Sequence, residues 1–210
     1  ILNMNATKKL MLTLLLAAVM LTGFSQSNLE TVFSNGYKSE ATGKFSEAIK
    51  ALKDVYDANS YEVNMRLGYL SYEAGLFTEA MSYYEKAIGL KPYSVEAKFG
   101  YVLPAAAAGN WDKVLNQYFE IAKIDPQNTK ANYRIGSIYY GRKDYGNALK
   151  YLEKVVNLYP FDYDGLILYA WTNFQLGKTK EAKLLFEKVL LLCVTIFIEP
   201  ILRNFHLPIK

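Results

Sequence analysis

Lys130 and Arg134 are the two side chains best placed to do directional chemistry. They lie four residues apart, so they share one face of a helix, and both can donate charge-assisted hydrogen bonds to a carboxylate. The remaining chemistry-bearing residues do not assemble into a reactive set. Glu79, Glu85, Asp112, Glu120, Glu153 and Glu187 have lysines such as Lys86, Lys154 and Lys188 beside several of them, which is the pattern of a solvated helix face. Cys193 is the one cysteine and cannot form an intrachain disulfide, and His206, the one histidine, cannot build a histidine-based metal site. There is no nucleophile elbow, no phosphate-binding glycine loop and no paired-cysteine metal spacing. The expectation is a non-enzyme with no catalytic residues, cofactor or metal.

The elements that position these residues recur along the chain. A turn motif appears as GKFSEA at Gly43, GLFTEA at Gly75, GNWDKV at Gly109, KDYGNA at Lys143 and GKTKEA at Gly177, with spacings of 32, 34, 34 and 34. Before each turn lies a segment with apolar and small residues at helical spacing, such as Asn64 to Gly75, and a second helical segment follows it. Glycine at the end of the first helix suits a left-handed cap, and Pro92, Pro126 and Pro160 stop the second. No segment shows the sustained two-residue alternation of a half-buried strand, so the fold is expected to be all-α.

Composition agrees. The 210 residues are 51% hydrophobic and 21% charged, with only 6 Pro, which excludes wholesale disorder. The 18 Tyr and 11 Phe are suited to filling space between stacked helices. The formal charge of +4 falls to +2 once Lys8 and Lys9 are set aside with a leader, and there is no basic run, which argues against nucleic acid as a partner.

The leader is read from residues 1–25. Met4 is taken as the start, with residues 1–3 upstream of it. Lys8 and Lys9 precede a mostly apolar run from Leu10 to Phe24, and Gly23 and Ser25 occupy small-residue positions before a cleavage at Gln26. The run is shorter than the roughly 20 residues that span a bilayer, so a secretory signal peptide is expected, with no stable transmembrane span after cleavage. The mature chain is expected in the periplasm or cell envelope.

On these residues the chain resembles the tetratricopeptide-repeat family. That family's Leu-Gly pair of the first helix appears as Leu67-Gly68 and in part as Ile135-Gly136. Its alanine of the second helix stands at Ala48, Ala80, Ala148 and Ala182, with Val114 departing, and its following aromatic at Tyr84, Tyr118 and Phe186. The resemblance implies a right-handed α-solenoid of about five helix–turn–helix repeats. Their bounds are 28–60 (irregular, two residues short and without the closing proline), 61–94, 95–128, 129–162 and 163–194, followed by an atypical tail at 195–210. Each pair leaves an apolar face that its neighbour covers. Pro104 falls inside the third repeat's first helix and should bend it.

The resemblance further implies a concave groove made mostly of first helices. The positions expected to face it are Met65, Tyr69 and Tyr72, with Glu62; Phe99, with Glu96, Leu103 and Ala106; Lys130, Tyr133, Arg134 and Tyr140, with Ser137; and Trp171 and Phe174, with Asp164 and Ile167. Aromatics in such a trough suit capture of a protein or peptide partner, and the alternative is that several pack between adjacent first helices. Lys130 and Arg134 resemble half of the two-carboxylate clamp of some cochaperones of this family. The other half is missing, since Met65, Tyr69 and Gly100 stand where it needs Lys and Asn. The functional expectation is an exported interaction scaffold; the alternative is a structural or self-associating repeat module, a fragment of a longer envelope protein. The run VLLLCVTIFIEPILRNFHLPIK, from Val189 through the tail, reads either as an extension that caps the last repeat or, as favoured here, as an altered reading frame or fragment end.

Overall fold

The computed structural model describes Met11 and residues 29–193. The expected leader, apart from Met11, and the tail at 195–210 lie outside the described residues. Among the described residues the regular elements are α-helices: α1 (29–41), α2 (Phe45–Asp54), α3 (Tyr61–Glu73), α4 (Phe77–Leu90), α5 (Val95–Ala107), α6 (Trp111–Ile124), α7 (Thr129–Gly141), α8 (Tyr145–Leu158), α9 (Tyr163–Gln175) and α10 (Thr179–Cys193). They form two compact units that divide between Pro92 and Tyr93. Each unit is a stretch of all-α solenoid in which odd-numbered first helices pack against the even-numbered second helices that follow them.

The turns repeat one geometry. Gly43, Gly75, Gly109 and Gly177 adopt φ of 71°, 77°, 73° and 76°, and Lys143 takes the same left-handed region at 61°. The residue after each closes back on the helix: Leu76 N–H donates to the Ser71 carbonyl at 2.8 Å, and Asp144 N–H to the Tyr139 carbonyl at 2.9 Å. This is the Schellman arrangement, which satisfies carbonyls that a helix end otherwise leaves bare. The first helices start on side-chain caps supplied by Ser60, Ser94, Asn128 and Asp162.

Small residues set how closely the helices of a pair approach. A Cβ added at Gly136 would lie 2.7 Å from Leu152 Cγ and 2.9 Å from its Cδ2, and one at Gly68 would lie 3.0 Å from the Tyr84 ring. Between pairs the same holds at Gly165, where a Cβ would come 2.8 Å from Val155 Cγ1. Ala80 and Ala148 are fully buried opposite such contacts. The core of unit 1 is built on Ala48, Ile49, Leu52, Val63, Leu67 and Leu70. In unit 2, Ile121, Ile135, Leu152, Val155 and Leu166 are buried.

Two irregularities have local causes. Helix α2 has 10 residues where α4, α6 and α8 have 14, and Tyr56 ties the junction that follows. Its hydroxyl donates to Asn64 Oδ1 at 3.1 Å and accepts from Lys86 Nζ at 2.9 Å. Pro104 is buried inside α5 without interrupting it, and its carbonyl accepts the Ala108 N–H at 3.0 Å.

Candidate protein-binding faces

The second helices carry the solvated charges. Glu79 pairs with Lys53 at 2.5 Å, Asp112 with Arg142 at 2.8 Å, and Glu187 with Lys183 at 3.9 Å. Such exposed pairs contribute about 0–1 kcal/mol each. No cluster of His, Cys, Asp and Glu able to hold a metal occurs among the described residues, and none of their helices is long and apolar enough to cross a membrane.

In unit 1 the expected face residues Met65, Tyr69 and Tyr72 lie on α3 and are half-buried. Tyr69 is already engaged: its hydroxyl donates to the Glu40 carboxylate of α1, and this contact together with burial holds its pKa above the usual range. Tyr72 packs its ring 6.0 Å from Phe77. Glu62 is paired with Lys91 at 3.2 Å.

In unit 2 the residues from α5, α7 and α9 separate into two kinds. Phe99, Tyr133 and Tyr140 are half-buried. Phe99 meets Tyr118 edge-on at 6.2 Å, and Tyr140 meets Tyr145 at 5.4 Å. Burial, followed by the nearby Asp164 charge, raises the Tyr133 hydroxyl pKa. Ile167 packs against the core. Lys130, Arg134, Trp171 and Phe174 remain exposed. Lys130 Nζ sits 4.6 Å over the Phe99 ring, and the Arg134 guanidinium 5.8 Å from the Tyr133 ring. Neither cation has an ion pair among the described residues. Trp171 is 44% exposed although its ring lies 4.9 Å from Phe186, and Phe174 is 48% exposed. These two border a 530 Å³ apolar cleft with Ala182, Phe186 and Leu190. The structure thus brings Phe99 to Lys130, and Tyr133 to Arg134, and packs Trp171 against Phe174 at 5.9 Å.

Arg66 escaped the sequence reading. It stands on α3 between Met65 and Leu67, and its guanidinium is paired with Glu40 and flanked by Tyr37 and Tyr69. The available signal was its offset of 68 residues, two full periods, from Arg134.

Comparison with known proteins agrees with this architecture. Tetratricopeptide-repeat family models match residues 40–95 and residues 129–162. No curated protein matches the sequence. Among solved structures, a MamA double mutant of strain RS-1 is 18% identical with a TM-score of 0.71, covering 82% of this chain and 98% of that one. MamA (41-end) from Desulfovibrio magneticus RS-1 is 19% identical with a TM-score of 0.69, covering 81% and 97%. A tetratricopeptide repeat protein from Parabacteroides merdae ATCC 43184 is 18% identical with a TM-score of 0.69, covering 78% and 66%. At these identities the likeness speaks to the fold.

Proposed function

The chain is a tetratricopeptide-repeat protein, and from that premise we propose that it is a non-enzymatic interaction scaffold whose unit 2 face, built from α5, α7 and α9, holds a peptide or a partner's helix. The observation that carries the reading is the combination, on these first helices, of two exposed cations without an ion pair among the described residues, Lys130 and Arg134 beside the half-buried rings of Phe99 and Tyr133, with the exposed rings of Trp171 and Phe174. Rings of this kind supply contact area at small entropic cost, and the two cations orient an acidic group. A photo-crosslinking amino acid at position 171 or 174, compared with one at exposed Glu153 on α8, tests the face directly. Crosslinking to a defined partner from the first-helix positions, abolished by Lys130→Ala/Arg134→Ala, is the expected result. Equal capture from position 153, unchanged by that variant, would refute it.

A second reading is a self-associating repeat module, favoured by Leu184, Leu190 and Leu191, which stand 64–67% exposed on α10. Light scattering on the eluting protein separates the two, because a monomer at micromolar concentration rules out the second. We further propose export to the periplasm or envelope, on the strength of the basic, apolar and small-residue order of residues 4–25. N-terminal sequencing of the exported protein should begin at Gln26.

A further inference from the structure

Trp111, the first residue of α6, is 52% exposed and makes no ring contact among the described residues. The rings in register with it fare differently. Two residues after the left-handed cap stand Phe77, Trp111 and Tyr145, and three residues before it stand Tyr72, Ala106 and Tyr140. Tyr72 lies 6.0 Å from Phe77, and Tyr140 meets Tyr145 edge-on at 5.4 Å, both within the range at which aromatic pairs attract. Phe77 and Tyr145 are half-buried. Ala106 has no ring to offer, so Trp111 lacks the partner that the turn rings of α4 and α8 have.

Beside Trp111 lies a 440 Å³ pocket, lined also by Ser137, Ile138 and Gly141 of α7 and by Arg142 just after it. Its size falls within the range of about 300–1,000 Å³ typical of ligand sites. A Cβ built at Gly141 would meet nothing within 4 Å, so α7 is bare at that point. Arg142 Nη2 lies 2.8 Å from Asp112 Oδ1, and both side chains reach solvent, at 40% and 94% exposure. The two charges cancel, while donors and acceptors remain on offer. Such a pair matches an uncharged polar tip better than a lone charge of either sign.

We propose that this pocket takes a tyrosine side chain from a partner protein, with its ring against Trp111 and its hydroxyl toward the Arg142–Asp112 pair. The occupant supplies from outside the ring that Tyr72 and Tyr140 supply from within the chain. Its hydroxyl both donates and accepts, as a neutral pair of opposite charges requires. The pocket is read from α6, α7 and the turns beside them, and does not rest on the proposed function.

N-acetyltyrosinamide, a tyrosine with a peptide bond on each side, is the probe. N-acetylleucinamide removes the ring, and N-acetylphenylalaninamide removes the hydroxyl. The indole N–H resonances of Trp111 and Trp171 are followed by NMR in the full chain, with Trp111→Phe to assign them. The Trp111 signal should shift saturably with the tyrosine probe, and both controls should bind several-fold more weakly. Ala106→Tyr supplies the ring internally and should weaken the response several-fold. Gly141→Leu fills the bare point on α7 and should do the same; it replaces glycine with a good helix former, so it keeps the test alive should Ala106→Tyr fail to fold. Circular dichroism checks each variant. No saturable shift at Trp111, equal binding of either control, or an undiminished response in a folded variant would each overturn the proposal. Silence at Trp111 would leave the crosslinking prediction as it stands, and failed crosslinking from positions 171 and 174 would leave this pocket standing.

Discussion

The fit at Gly136 gives a prediction whose sign opposes the ordinary rule for helices. Replacing a mid-helix glycine with alanine usually stabilises by about 1 kcal/mol, because alanine loses less backbone entropy. At Gly89, near the end of α4, the added Cβ meets nothing within 4 Å, so Gly89→Ala should gain up to that amount. At Gly136 the same Cβ would lie 2.7 Å from Leu152 Cγ, a branch point that cannot swing aside as a chain end can, and 3.4 Å from the Ala148 carbonyl oxygen. Relieving an overlap of this kind in a packed interior costs about 1–3 kcal/mol. Set against the propensity gain, Gly136→Ala should be about 0–2 kcal/mol less stable than the unaltered chain, and about 1–3 kcal/mol less stable than Gly89→Ala. Urea unfolding followed by far-UV circular dichroism reads the difference from the midpoints, provided the slopes agree. A second arm identifies the partner. Leu152→Ala alone should cost about 2–5 kcal/mol, and less in the Gly136→Ala background, where the new methyl occupies space that the leucine vacates. Equal midpoint shifts for the two glycine variants, or additivity of the double variant within about 0.5 kcal/mol, would refute the reasoning.

Other predictions follow from single residues. Lys143 holds a left-handed backbone that costs an L-residue about 1–2 kcal/mol, so Lys143→Gly should raise the urea midpoint while Gly75→Ala lowers it. Asn64 and Asn132 both donate Nδ2 bonds to the loop preceding their helix, but Asn64 Oδ1 also accepts the Tyr56 hydroxyl, whereas Asn132 Oδ1 has no partner. Asn64→Ala should therefore cost more than Asn132→Ala, each in the range of about 1–3 kcal/mol, as judged by thermal melting. Burial raises the Glu40 pKa, but Arg66 and Tyr69 outweigh it and hold the carboxyl below its ordinary value of 4.5. Its stabilisation is thus complete above the unfolded value and lost as pH falls through the folded one. Glu40→Gln should flatten the acid limb of a stability-versus-pH curve and leave the neutral limb parallel.

Much of this architecture was legible in the sequence because it rests on residues with few alternatives. Only glycine takes the cap geometry without strain, so Gly43, Gly75, Gly109 and Gly177 mark the turns, and Lys143 could be placed by its spacing alone. Gly68 and Ala148 reveal close approach for a similar reason, since a larger side chain has nowhere to go. The face was harder to read. Periodicity puts Tyr69, Tyr133 and Trp171 in equivalent stripes, yet Tyr69 is held by Glu40, Tyr133 is half-buried and Trp171 is nearly half exposed. Those differences arise from what the neighbouring helix supplies, and one helix's pattern does not contain that information. The pairing of Arg66 with Glu40 joins residues 26 apart across an irregular junction, where the 34-residue count fails and α2 ends early.

The contact at Gly165 bears on how such a chain can be rearranged. At the same register the earlier first helices carry Val63, Ala97 and Ala131, and any of these placed at the fifth position would drive at least one carbon into Val155. The repeats are therefore not interchangeable beads. Shuffling or duplicating a block would have to carry matched residues from both sides of each seam, so the order of the pairs is written into the joints between them.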